Sequence, residues 1–158
     1  MKNCVHRTSA RALRLAGLTL VVMMAIPGFS SVRQPAVAGS FYAGSEEALR
    51  GQVRSLLEQA GGEAEGNVRA VVVPHAGYVY SGAVAAEAFA RVGTRPVSRV
   101  IVIGPSHRAS FSGGALPKKS VTALRTPLGE LPLDQDALAV LRQRPLFDGP
   151  ASAHDGEH

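Results

Sequence analysis

Two short and almost wholly apolar segments, separated by a helix-like segment, constrain the fold of this chain most. "VRAVVVP" at 68–74 and "SRVIVIGP" at 98–105 are rich in β-branched residues, as is typical of strands buried on both faces of a parallel sheet. The alanine-rich segment between them, "SGAVAAEAFARV" at 81–92, favours a helix capped by Ser81. Strand, helix and strand in this order predict a βαβ unit with parallel, neighbouring strands. We therefore predict an α/β fold with an open, largely parallel sheet and flanking helices.

A second helix is predicted to begin after Ser45. The Ser45 hydroxyl can cap the first turn, and the carboxylates of Glu46 and Glu47 would lie near the positive end of the helix dipole. Apolar residues then recur at helical spacing from Leu49 onward, until the polar, glycine-rich segment 61–67 ends the helix.

The remaining segments are predicted to alternate between extended and helical structure. Small residues and glycines at 35–45 favour an extended arm with a turn. Residues 120–134 are predicted to form extended segments around a turn at Gly129, and residues 134–144 a helix capped by Asp134.

The amino terminus has the layout of an export signal. Four basic residues precede the apolar run "LAGLTLVVMMAI" at 15–26, which is followed by Pro27 and small residues. A membrane span needs about 20 apolar residues, so this run is short for an anchor. We predict a signal peptide at 1–30, a folded part at 31–158, and a periplasmic or secreted location. An uncleaved signal that anchors the chain in a membrane is the alternative.

The charge balance gives no reason to propose nucleic acid as a partner. The chain carries a formal charge of +5, but residues 1–30 contain four basic and no acidic side chains, which leaves the rest near +1. Cys4, the single cysteine, lies in the predicted signal, so no disulfide is expected within residues 31–158.

His75 and His107 are the residues that suggest a metal site. Each follows one of the two predicted strands, and parallel neighbouring strands deliver such residues to the same edge of a sheet. Imidazole nitrogen suits iron, copper or zinc, and a usable site needs a third ligand. The alternative is that each histidine is an ordinary hydrogen-bonding residue of a strand-to-helix loop.

Four neighbouring side chains are weaker candidates. Tyr78 and Tyr80 could donate a phenol hydroxyl to a substrate or simply cover the crevice, and Arg108 could pair with an anionic ligand or remain a surface charge. A nucleophilic role for Ser106 is disfavoured, because no G-x-S-x-G motif is present.

Five motifs in order resemble the Memo-like family, also called AmmeMemoRadiSam system protein B. They are "VAGSFY" at 37–42, "VPHAGYVYSG" at 73–82, "IGPSH" at 103–107, "TPLGE" at 126–130 and "EH" at 157–158. The resemblance implies a fold like that of class III extradiol ring-cleaving dioxygenases, which carry non-haem iron.

The resemblance also carries over to individual residues. It implies that His75 and His107 match two metal-binding residues of the family and that Glu157 and His158 match an acidic–histidine pair near the same cleft. Iron or copper is the expected metal, and partners from a radical SAM system are an expected association.

Three functional hypotheses follow. The first is a metal-binding, dioxygenase-like oxidoreductase with a small-molecule substrate. The second is a non-catalytic module that binds a peptide or a small anion in the same cleft. The third is an inactive fragment, because Memo-like chains are longer and the third ligand is expected downstream of the "EH" motif. Residues 31–158 are accordingly interpreted as the N-terminal part of a Memo-like domain.

Overall fold

The computed structural model describes residues 30–94 and 96–158, which contain three strands and three α-helices. In chain order these are β1 Ser31–Arg33, α1 Glu46–Ala60, α2 Tyr78–Val92, β2 Val121–Thr126, β3 Gly129–Pro132 and α3 Gln135–Leu141. Two short 3₁₀ helices follow, at Pro145–Phe147 and Ala151–His154. The predicted α/β class is confirmed. The predicted signal peptide lies outside the described residues, apart from its last residue.

The sheet has the order β1-β2-β3 and is mixed. β1 runs parallel to β2, and β3 returns antiparallel to β2 with Ala123 opposite Pro132 and Thr126 opposite Gly129. The predicted turn forms at 127–128, directly before Gly129, whose φ of 134° is strained for residues other than glycine.

The helix α1 begins where its sequence predicts. The Ser45 hydroxyl accepts a hydrogen bond from the Ala48 amide at 3.3 Å, and the helix ends at Ala60 before Gly61. Leu49, at 4% exposure, is its buried residue. α1 packs against α2, where Gly82 allows close contact: a Cβ atom at this position would lie 2.9 Å from Leu56 Cδ1.

The helix α2 begins three residues earlier than predicted, at Tyr78, and Ser81 is not its cap. The Tyr78 amide donates to the Phe41 carbonyl oxygen at 2.7 Å, so a distant backbone group satisfies the helix end in place of a side chain. Ser81 is buried inside the helix, where its hydroxyl donates to the Ala76 carbonyl at 2.8 Å.

The two strands predicted at 68–74 and 98–105 do not form, and the prediction of a βαβ unit is wrong in this respect. Both segments lie outside the three-stranded sheet, and several of their apolar side chains face solvent: Val72 is 99% exposed and Ile103 90%. A strand buried on both faces needs neighbours whose backbone groups complete its hydrogen bonds. Within the described residues, no other segment pairs with either of them.

The helix α3 confirms its predicted cap but is shorter than predicted. The Asp134 carboxylate accepts from the Ala137 amide at 2.9 Å, and the helix ends at Leu141 instead of reaching residue 144. None of the helices in the described ranges has the length and apolar character needed to cross a membrane.

Candidate metal centre

His75 lies three residues before α2, in a segment anchored by the arm at 35–45. Gly77 approaches that arm closely, since a Cβ atom there would lie 3.4 Å from the Phe41 Cα and carbonyl oxygen. The hydrogen bond from Tyr78 to Phe41 and the one from Ser81 to Ala76 fix the backbone on the helix side of His75. The ring therefore projects from a loop that is anchored where it joins α2.

His107 is held by two contacts from one carboxylate. Glu157 Oε2 accepts from the backbone N–H of His107 at 2.8 Å, and Glu157 Oε1 lies 2.6 Å from the ring Nδ1. The two contacts fix both the backbone and the ring of His107 across a sequence separation of 50 residues. This leaves Nε2 as the free edge of the ring.

The structure brings the rings of His75 and His107 together, although the strands predicted to carry them do not pair. Their Nε2 atoms lie 3.1 Å apart, and the ring centroids are separated by 5.1 Å. The convergence predicted from sequence therefore holds, but for a different reason. The anchored start of α2 and the Glu157 carboxylate position the rings, and a parallel sheet does not.

His158 completes a cluster of three histidines. Its ring stacks on His107 with a centroid distance of 4.4 Å and lies 5.8 Å from His75, while the edge of Phe41 contacts it at 4.9 Å. One ring nitrogen from each histidine lies within 4.8 Å of the others. The family resemblance predicted only that His158 lies near the cleft, from the "EH" motif. The structure shows why it joins the cluster: Glu157 binds His107, and the next residue in the chain is therefore close to the His107 ring.

The Glu157 carboxylate is buried and ionised. The residue is 9% exposed, and Arg33 donates a short hydrogen bond to its backbone carbonyl oxygen. The backbone N–H of His107 lowers the pKa of Glu157 to about 2, with help from the His107 ring and against burial, which raises it. A fixed negative charge therefore lies directly behind the histidine cluster.

The other candidates from the sequence have different surroundings. Tyr78 packs against Tyr42 at a centroid distance of 5.6 Å, and Arg108 lies beside the backbone of Gly156. Tyr80 is 86% exposed, so it lines no closed crevice among the described residues. The Ser106 hydroxyl accepts from the Ala109 amide at 3.2 Å, which is the contact of a local turn.

A groove of about 470 Å³ lies elsewhere, on the surface of α1. It contains one carboxylate and no imidazole, so the histidine cluster is the better candidate for a metal centre. The groove is lined by Arg50, Val53, Arg54, Leu57, Glu58 and Leu128.

Comparison with known proteins decides the family. The sequence profile described as Memo-like protein matches residues 33–158. This chain belongs to the Memo-like family. The histidine cluster, with residues at 75, 107 and 158, lies wholly inside the matched segment of this Memo-like chain.

Relatives from animals and archaea agree with this assignment. The chain is 40% identical to Protein MEMO1 of Danio rerio over 116 residues, which cover 73% of this chain and 38% of that protein. It is 38% identical to the memo-1 homolog of Caenorhabditis elegans over 126 residues, or 79% of this chain and 35% of that protein. It is 36% identical to a MEMO1 family protein of Sulfurisphaera tokodaii over 139 residues, which cover 80% of this chain and 48% of that protein. The chain thus spans less than half the length of these relatives.

Proposed function

We propose that this Memo-like chain binds one transition-metal ion, iron or copper, through ring nitrogens of His75, His107 and His158. The observation that supports the proposal is the convergence of three ring nitrogens, one from each histidine, within 4.8 Å of one another. The three rings come from separate segments of the chain, and a shared cation would hold all of them at one point, beyond the single contact between His75 and His107.

The distances within the cluster suit a common ion. Two nitrogens bound at about 2.0–2.1 Å to one metal lie at most about 4.2 Å apart. The pair formed by His75 and His107, at 3.1 Å, is already inside this limit. A pair as wide as the 4.8 Å limit of the cluster would have to close by about 0.6 Å or more to share the ion.

The surroundings of the ligands also suit a metal centre. A metal-bound histidine typically donates its second ring N–H to a carboxylate, and Glu157 occupies this position behind His107. The Glu157 carboxylate would also offset part of the positive charge of the ion. The Phe41 ring packs against His158 and restricts its motion.

The donor set and the family resemblance together favour iron or copper. A set made of imidazoles suits iron, copper, nickel and zinc, and the resemblance to non-haem iron dioxygenases selects the redox-active members. When bound, the metal would supply redox or Lewis-acid chemistry at its open coordination positions. We accordingly propose a dioxygenase-like oxidoreductase as the reaction class.

The chain's own residues would hold and expose this centre. His75 and His107 are solvent-exposed, so a small molecule can reach the cluster from its outer side. Glu157 contacts Nδ1 of His107 and keeps the opposite ring edge turned toward the other two histidines. The aromatic ring of Phe41 excludes water from one side of His158.

Metal analysis of variants tests the proposal. The purified chain would be stripped with a chelator, incubated with Fe(II) without oxygen or with Cu(II), desalted, and measured by inductively coupled plasma mass spectrometry. We expect stoichiometric metal in the wild type and its loss in His75→Ala and His107→Ala. His154→Ala is the matched control, because His154 contacts the Ala115 carbonyl at 3.0 Å and is outside the cluster.

Retention of stoichiometric metal by both His75→Ala and His107→Ala would refute the site. Equal loss in His154→Ala would show that the effect is unfolding and not removal of a ligand. Binding of a peptide or a small anion that survives complete chelation would support the non-catalytic alternative.

A further inference from the structure

We infer that Glu157 is a positioning residue that sets the tautomer of His107, so that the Nε2 lone pair of His107 faces the other two histidines. The role in metal binding rests on the function proposed above. The tautomer itself is a property of the metal-free chain and can be tested without any metal.

The chemistry of the carboxylate determines the tautomer. An ionised carboxylate can only accept hydrogen bonds, so the 2.6 Å contact requires a hydrogen on Nδ1 of His107. A neutral imidazole carries one ring hydrogen, and with that hydrogen on Nδ1 the opposite nitrogen has a free lone pair. Nε2 of His107 is then ready to bind a cation without first losing a proton.

The contact between the two histidines is consistent with this assignment. The Nε2 atoms of His75 and His107 lie 3.1 Å apart, so in neutral rings one donates and the other accepts. With His107 as the acceptor, His75 carries its hydrogen on Nε2 in the metal-free chain. Metal binding would therefore change the tautomer of His75 and leave that of His107 unchanged.

The carboxylate is held firmly enough to act in this way. Its second oxygen accepts from the backbone N–H of His107 at 2.8 Å, which ties the carboxylate to the same residue whose ring it orients. Arg33 binds the Glu157 carbonyl oxygen, and the side chain of Glu157 is only 11% exposed. Neither oxygen can turn away without breaking one of these contacts.

Glu157→Gln is the variant that separates this role from packing. The amide has nearly the same shape, but one end accepts and the other donates. If its oxygen keeps the bond to the His107 backbone, its NH₂ group faces Nδ1 and favours a lone pair there. The ring hydrogen then moves to Nε2 and blocks the ligand atom.

The experiment measures tautomer and metal affinity separately. Imidazole ¹⁵N shifts of the metal-free chain, recorded at alkaline pH, report the tautomer of His107. We expect the Nδ1–H form in the wild type and a shift to the Nε2–H form in Glu157→Gln. Affinity for Fe(II) or Cu(II) should fall about 10- to 100-fold in the variant, as is typical when a hydrogen-bond partner of a metal ligand is lost.

Asp155→Asn is the matched control for charge. Asp155 is 58% exposed on its side chain and pairs with Lys118 at 2.8 Å, two residues from Glu157. Both the tautomer and the affinity of this variant should match the wild type. Far-UV circular dichroism of all three proteins checks that they share one fold.

Each outcome bears on the inference. An Nε2–H form of His107 in the wild type, or an unchanged tautomer in Glu157→Gln, overturns it. If Glu157→Gln changes the tautomer of His107 but binds metal as tightly as the Asp155→Asn control, the role of Glu157 in metal binding is overturned. If the wild type shows the Nδ1–H form but binds no metal, the proposed function fails, while the assignment of the tautomer to Glu157 is supported.

Discussion

Acid should destabilise this fold through Glu157 more than through any exposed carboxylate. The pKa of Glu157 is lowered from 4.5 to about 2, chiefly by the hydrogen bond from the His107 backbone. A carboxylate whose pKa is lower in the folded state stabilises the fold above its unfolded pKa. That stabilisation is lost as the pH falls from about 4.5 through about 2.

The size of the effect follows from the shift. One pKa unit corresponds to about 1.4 kcal/mol, so a decrease from 4.5 to about 2 corresponds to about 3 kcal/mol. The Glu157 side chain is 11% exposed but that of His107 is 39% exposed, so solvent screens part of this interaction and about 3 kcal/mol is its upper limit. For a domain of ordinary stability, this is a large share of the free energy of unfolding.

Urea unfolding of the metal-free chain, followed by circular dichroism between neutral and acid pH, measures this contribution. Glu157→Gln cannot titrate at this position. As the pH falls, its free energy of unfolding should therefore decrease less than that of the wild type, by up to about 3 kcal/mol. Asp155→Asn should keep the pH dependence of the wild type, because Asp155 forms only a solvent-exposed ion pair. If the free energy of unfolding of the wild type and of Glu157→Gln fell equally with pH, the contacts of Glu157 with His107 would not stabilise the fold.

Further changes to the sequence test other parts of the fold. Gly113→Ala should destabilise the chain by about 2 kcal/mol or more in urea unfolding, because the φ of 78° is strained for alanine and the new Cβ would lie 2.4 Å from the Leu146 carbonyl oxygen. Gly51→Ala is its control: no atom lies within 4 Å of the added Cβ in α1, so we expect up to about 1 kcal/mol of stabilisation, and a loss would contradict the assignment of that helix. Asp134→Ala removes the cap of α3 and should lower the melting temperature; no change would mean that the cap contact is not formed in solution. Val102→Lys, at a residue 88% exposed, should change stability by less than about 0.5 kcal/mol and reduce light scattering; marked unfolding would show that this segment is buried in solution.

The features predicted correctly from sequence are those that depend on neighbours in the chain. Ser45 caps α1 through an amide three residues away, and Asp134 caps α3 in the same way. The turn at Gly129 is equally local, because it depends on the φ angle that this one residue can adopt. Side-chain caps and turn residues act over a few residues, so their geometry follows from the sequence alone.

The features that the sequence did not determine depend on contacts between distant residues. The apolar segments at 68–74 and 98–105 have the composition of buried strands, yet a strand forms only where another segment supplies its hydrogen bonds. The early start of α2 depends on Phe41, and the inclusion of His158 in the cluster depends on Glu157 binding His107 across 50 residues. Sequence alone therefore identified the family and two of the three histidines. The tertiary structure determined how the rings meet, because the hydrogen bonds that orient them join residues far apart in the chain.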